Sequence, residues 1–324
     1  MKTPALNEMY WLVKREFWEH RGGFLWAPVI TGGVFLLLNL MGVIAGEVFG
    51  AQHGIHSLFN ARIHILDHAL SADEAARAGM LMDMVMYSTT FIISIVLGFV
   101  VFFYCLGALY DDRRDRSLLF WKSLPLSDSA TVFSKVVAGT LLAPVIAVVC
   151  GVVTGIAMLL MYVTTLSFHG VGAWHLLAYA HPFRVVANLV GTIPLYALWA
   201  LPATGWLLLC SAWARSKPFL WAAVLPIAVG MMLGWFNLMG APVMGNNWYW
   251  SDVCGRILLS VFPGSWLGAG NYQAVSSDAV HGLDALNLGT AYSVMGRPGF
   301  WIGAVAGLAL LVGTIWLRRW RDDN

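Results

Sequence analysis

Apolar positions in this chain neither alternate nor recur at a single helical face over most of its length; they come in blocks. Six blocks match the ~20 mostly apolar residues a helix needs to cross a hydrocarbon core: Phe24–Phe49, Met84–Tyr110, Val136–Val163, Val185–Ala212, Phe219–Met239 and Phe300–Leu317. Pro144, Pro194, Pro202 and Pro226 fall inside them, which membrane helices tolerate because neighbouring groups re-satisfy the freed backbone. Trp26, Tyr110, Trp199, Trp213 and Trp316 are read as standing near block ends, where aromatic rings anchor at a headgroup layer. The pattern predicts an all-α polytopic membrane protein with six transmembrane helices, a single transmembrane domain over residues 1–324.

Between the blocks the pattern changes. In residues 1–23, Leu6, Met9, Tyr10, Val13 and Phe17 recur at helical spacing, opposed by Glu8, Lys14, Arg15 and Glu19. Thr3 and Pro4 suit a helix start and Gly22-Gly23 a helix end. This predicts an N-terminal amphipathic interfacial helix, either a plain anchor or an elbow that moves with the first span. The first block runs 26 residues, well past the ~7–15 of a signal-peptide apolar core, so it is read as a retained span. Two outer loops are expected, 50–83 and 240–298. In the first, Ser71-Ala72-Asp73-Glu74 reads as a capping box that starts a helix. In the second, Ile257–Phe262 and Trp266–Leu267 flank Pro263-Gly264. That apolar stretch is too short to span and predicts a re-entrant or interfacial helical segment before the last span.

Composition narrows the class. Hydrophobic residues make up 59% and charged residues 11%, and the mean hydropathy is +0.71, whereas soluble domains carry about 25% charged residues. A cytoplasmic enzyme, a nucleic-acid-binding module and a disordered regulator are thereby excluded. The net charge of +2 says little, but its distribution says more. With both termini placed in the cytoplasm, fourteen of the 19 lysines and arginines fall inside, while the acids divide nine to eight. That asymmetry predicts cytoplasmic N- and C-termini.

Candidate chemistry is sparse. Cys105, Cys150 and Cys210 lie in apolar blocks and Cys254 in a loop, an arrangement that favours neither a disulfide nor a cysteine metal site. His64 and His68, spaced i,i+4 with Asp67 beside them, are weak metal candidates. Two imidazoles are half a site and no His-Glu-x-x-His accompanies them, so polar or interface histidines are the preferred reading. No Gly-x-x-x-x-Gly-Lys-[Ser/Thr] occurs, and the chain is expected to be no enzyme and to hold no cofactor. Lys135 and Glu47 sit at block edges and no other Asp, Glu, Lys or Arg lies well inside a block. Ion-coupled carriers place such groups at membrane depth, so a self-powered carrier is disfavoured. The polar residues that do fall within blocks include Asn39, Thr89, Thr90, Ser94, Asn188 and Asn237. A path lined this way would suit an apolar or amphiphilic cargo.

The stretch after the second block carries the most information. Unbroken charge, Asp111-Asp112-Arg113-Arg114-Asp115-Arg116, is followed after Ser117 by the apolar cluster Leu118-Leu119-Phe120-Trp121. An apolar patch rimmed by charge marks a contact with protein or membrane, here either a docking loop or a second interfacial helix. The run from Tyr110 to Asp128, with Ser134-Lys135 opening the third span, resembles permease subunits of ATP-binding-cassette exporters of the type-2 permease class. The resemblance covers the whole chain as architecture and residues 111–135 as a motif. It implies a cytoplasmic coupling loop over 111–130 that docks on a separate ATPase subunit, with ATP and magnesium bound there. It also implies a second permease copy, as homodimer or heterodimer, and a bacterial inner (plasma) membrane. No nucleic-acid partner is expected. The alternatives are a non-transporting scaffold or sensor with ligand-binding outer loops, and an ATP-independent channel or carrier.

Overall fold

The computed structural model describes residues 4–53, 72–114, 127–168, 173–240, 248–269 and 287–321, and among them there is no strand. The helices are α1 (Pro4–Glu19), α2 (Ala27–His53), α3 (Ala72–Arg114), α4 (Asp128–Val137), α5 (Ala143–Phe168), α6 (Pro182–Trp199), α7 (Leu201–Trp213), α8 (Leu225–Leu238), α9 (Gly255–Leu259), α10 (Leu288–Tyr292) and α11 (Pro298–Arg321). Five stretches are long and apolar enough to cross a membrane: Gly22–Phe49, Ala76–Arg114, Asp128–Phe168, Leu220–Leu238 and Pro298–Trp320. The pair α6 and α7, bent by 50°, makes a sixth if it is counted as one span.

Prolines shape these helices in a regular way. Three π-helical turns, Gly22–Trp26, Ala138–Leu142 and Leu220–Val224, each end two residues before a proline: Pro28, Pro144 and Pro226. A proline ring clashes with the carbonyl four residues back and offers it no N–H. A locally wider turn relieves that conflict while keeping the helix going. At Pro202, in the first turn of α7, no such turn intervenes and the block 185–212 divides into two helices at Ala200. The N-terminal helix ends at Glu19, just before Gly22-Gly23, as the composition predicts, and the chain turns at His20. The two glycines lie in the first π-turn, and the chain runs on into α2. Gly23 is packed so closely on α3 that an added Cβ would stand 2.8 Å from Val100 Cγ1, so tertiary contact outweighs the poor helix propensity.

Helix α3 is the central element and packs along α5, α7 and α2, while α11 packs along α7. Glycines four apart lie at two of these contacts. On α5, Gly151 and Gly155 admit α3, and a Cβ at Gly155 would stand 3.2 Å from Met86 Cα. On α11, Gly303 and Gly307 admit its neighbours, and a Cβ at Gly307 would run into the backbone of Leu201. The interior between them holds Ile93, Leu97, Val101, Leu207 and Leu208, all fully buried. The outward faces are apolar too: Ile30, Val34, Leu37, Leu38 and Met41 on α2 and Ile302, Val305 and Val312 on α11 are each more than half exposed. Apolar inside and out, these helices form a bundle suited to lipid rather than water.

Helix α1 turns Leu12 and Glu16 inward, and Tyr10, Trp11 and Trp18 are exposed. Tyr10, predicted with Val13 on the face turned to the headgroup layer, makes no buried contact with the bundle. After α8 the chain enters a short hairpin. A π-turn, Tyr249–Cys254, leads into α9, and a tight turn follows before a 3₁₀ segment, Ser265–Ala269. Its apex carries Gly264 at φ +86, a left-handed conformation that glycine adopts without steric cost. The apex is seated deep in the bundle. The Phe262 ring covers Gly98, midway along the α3 apolar run. The Tyr196 hydroxyl donates to the Val261 carbonyl at 2.7 Å, and Trp199 Nε1 donates to Ser265 Oγ at 2.9 Å.

Candidate functional site: a charged floor and an apolar cavity

One end of the bundle collects charge. Glu16, with no exposure, meets Lys135, 1% exposed: Oε1 to Nζ is 3.2 Å, and Nζ donates to Oε2 at 3.3 Å. Lys135 Nζ also lies 3.3 Å from Asp112 Oδ2. The Tyr104 hydroxyl donates to Glu16 Oε2 at 2.8 Å, and Arg15 Nη2 lies 2.9 Å from Oε1. Three helices, α1, α3 and α4, are therefore tied by one ionic knot. Burial by itself raises the Glu16 carboxyl. The Lys135 charge, the Tyr104 hydrogen bond and the Arg15 charge oppose it, and the net effect holds Glu16 below the ordinary glutamate value.

Further ties surround the knot. Arg113 donates through Nη2 to the carbonyls of Ser211 and, at 3.0 Å, Ala214. A guanidinium at the carboxyl end of α7 satisfies carbonyls the helix leaves open and complements its dipole. Ser211 Oγ in turn accepts from the amides of Leu109 and Tyr110 at 3.1 and 2.9 Å. At the start of α4, Ser127 caps the helix by accepting from the Ala130 amide, and Asp128 Oδ1 lies 3.0 Å from Arg318 Nε of α11. Residues 114 and 127, the two stems of the segment between, thus rise from a floor in which α1, α3, α4, α7 and α11 are cross-linked by charge.

Of the ten residues predicted to form the docking loop, Asp111, Asp112, Arg113 and Arg114 are described and lie in the last turn of α3. Asp111 and Arg114 are exposed, whereas Asp112 and Arg113 point into the floor. Half of this charge is structural, a division that a uniform run of charge conceals. Asp115, Arg116, Leu118, Leu119, Phe120 and Trp121 lie outside the described residues, as do His64 and His68.

Sequence reasoning missed three positions. Glu16 was left off both faces of α1; its signal was the lone Lys135 at a block edge with no counter-ion in sight. Asp83, 1% exposed, accepts from the His181 amide at 2.8 Å and from Arg184 Nη2 at 2.9 Å, tying α3 to the start of α6 at the opposite end of the bundle. Arg256 was placed in an outer loop. Its guanidinium carbon lies 3.6 Å from the centre of the Trp199 ring, against Gly303. Its Nη1 and Nη2 are buried with no hydrogen-bond partner among the described residues. It makes a desolvated cation–π contact, no salt bridge to it lies within 4 Å among the described residues, and Asp252 is the carboxylate whose charge acts on it.

A cavity of about 360 Å³ opens among α3, α5, α6 and the hairpin apex. Of the polar residues predicted along a path, Thr90, Ser94 and Asn188 meet in its wall. Asn39 instead bridges α2 and α5, accepting from the Tyr162 hydroxyl at 2.8 Å. Thr89 and Asn237 are not part of the wall.

No protein-family model, no curated protein and no solved structure matches this chain.

Proposed function

We propose that this chain is the membrane-spanning subunit of an ATP-driven exporter, working as a dimer and coupled through residues 111–130 to a separate ATPase. In this reading the bent pair α6–α7 is one span, giving six. The floor faces the cytoplasm with both termini, α1 is an elbow lying along the inner-membrane surface, and the 248–269 hairpin re-enters from outside. The observation that carries the proposal is the clamping of both stems of the 115–126 segment. A load applied there passes through Asp112–Lys135–Glu16 to α1, through Arg113 to α7, and through Asp128–Arg318 to α11. A solvated turn needs no such fastening, whereas a loop that must move several helices together does. The lack of any nucleotide-binding motif in the chain is consistent with an energy source on another polypeptide.

The test is co-purification with an ATP-binding-cassette ATPase encoded beside the chain, in detergent and then in lipid discs. Wild-type protein should hold the ATPase and alter its hydrolysis rate. Phe120→Ala with Trp121→Ala should release it without loss of fold, since buried apolar anchors dominate such contacts. Failure of any such ATPase to bind the wild-type chain would overturn the proposal in favour of a scaffold or an unpowered carrier.

A further inference from the structure

The cavity of about 360 Å³ follows α3. One face of α3 lines it from Met84 to Leu97, a distance of about 20 Å at 1.5 Å rise per residue. A void of this volume running along that length has room for an alkyl chain, with carbons at ~4 Å contact distances from the wall. The length also suits one leaflet, since half of a ~30 Å hydrocarbon core is about 15 Å.

Four polar residues of the wall, Ser88, Thr90, Asn188 and Thr192, are hydrogen-bonded within the protein. Thr90 Oγ1 donates to the Met86 carbonyl, Thr192 Oγ1 to that of Leu189, and Ser88 Oγ to that of Val85. Asn188 Nδ2 donates to the Tyr87 hydroxyl at 2.8 Å. With these groups so engaged, the wall presents chiefly carbon. A water needs two to four polar partners to stay in a cavity, and apolar cavities remain dry or take up apolar molecules. The room is built in rather than left over: small side chains at Ala147 and Ala291 make it, and the positive-φ turn at Gly264 brings the hairpin across as one wall. The slot is open along α3 beside Ser88 and Phe91, both exposed. Phe91 continues directly into the outward apolar stripe Ile95, Phe99 and Phe103.

We propose that this cavity is a binding site for a single acyl chain, which enters sideways from the bilayer beside Phe91 and lies along α3 beneath the hairpin. Its polar head lies at the Tyr87–Asn188 end, one turn from Asp83. The site is a property of one chain and stands independently of the exporter reading.

The test uses the full chain in lipid discs with palmitate carrying a terminal diazirine. A parallel arm uses a phosphatidylcholine bearing the same photoreactive chain. Saturable labelling of peptides 84–97 and 263–267, displaced by unlabelled palmitate, is expected in at least one arm. Labelling from free palmitate identifies a single-chain amphiphile as the source, and labelling from phosphatidylcholine alone identifies a bilayer lipid. Ala147→Leu and, separately, Ala291→Leu fill the slot and should lower labelling at least tenfold. Val153→Leu, on the exposed face of α5, adds bulk outside it and should leave labelling unchanged. The proposal is overturned by labelling that does not saturate, that spreads equally over residues 95–103, or that persists in both filled variants. If neither filled variant folds, displacement and peptide position in the wild-type chain decide the question. Saturable labelling without ATPase capture removes the exporter reading and keeps the site; capture without saturable labelling does the reverse.

Discussion

The ionic knot beneath the loop makes a quantitative prediction through Lys135→Met and Glu16→Gln. Lys135→Met leaves the Glu16 carboxylate fully buried with only Arg15 and Tyr104. Breaking a buried pair from one side costs about 3–5 kcal/mol. The remaining Arg15, 23% exposed, offsets part of this, so a loss of about 3 kcal/mol is expected. Glu16→Gln is milder. Lys135 keeps Asp112 at 3.3 Å and the amide keeps Tyr104 as a donor, so the loss is about 2 kcal/mol, the range for one charged hydrogen bond. In the double variant neither change strands the other's partner. Its loss should approach that of Lys135→Met alone, a coupling of about 2 kcal/mol, within the range seen for residues in one network. The assay is reversible unfolding of the purified chain in mixed micelles, driven by rising SDS fraction and read by tryptophan fluorescence. Losses that add within about 0.5 kcal/mol would refute the knot, because independent residues behave that way.

Three further outcomes follow from the same structure. Glu16 titrates below the ordinary glutamate value in the folded state. Its stabilisation is therefore complete above about pH 4.3 and lost as pH falls through the lower folded value; a pH series of the same unfolding assay should lose that acid limb in Glu16→Gln. Gly307→Ala should cost 2 kcal/mol or more and loosen α11 from α7, because the new Cβ meets backbone rather than a movable side chain. Gly33→Ala on open α2 surface should be neutral or stabilise by up to about 1 kcal/mol, and thermal midpoints of the two distinguish them. Arg256→Met should be neutral or stabilising, since no hydrogen bond is lost from its terminal nitrogens. Trp199→Ala, emptying a ring that is 5% exposed, should cost about 3–5 kcal/mol; a larger loss in Arg256→Met would point to an anionic partner for the guanidinium.

The amino-acid sequence by itself determined the class, an all-helical chain with five to six elements long and apolar enough to cross a membrane. Blocks of ~20 apolar residues cannot be accommodated otherwise by a chain with this little charge, and each predicted block falls on one helix or on the bent pair. It also located the hairpin apex, because Pro263-Gly264 is a local signal for a local turn. Where the outcome rested on long-range contact, local pattern failed. Gly22-Gly23 reads as the end of α1, which does stop at Glu19, but nothing local shows that the glycines open the next helix, where Gly23 packs on Val100. Pro202 and Pro226 look alike in sequence, but one bends the chain by 50° and the other is absorbed by a π-turn. Charge was the least legible. Asp111 to Arg114 are consecutive, and only their angular position on α3 sends Asp112 and Arg113 inward to partners about 20 and 100 residues away. Glu16 and Lys135 are 119 residues apart, and Arg256 meets Trp199 only because the hairpin folds back. The cavity has no sequence signature, because the small side chains and the turn that shape it lie on α5, α10 and the hairpin and come together only in the fold.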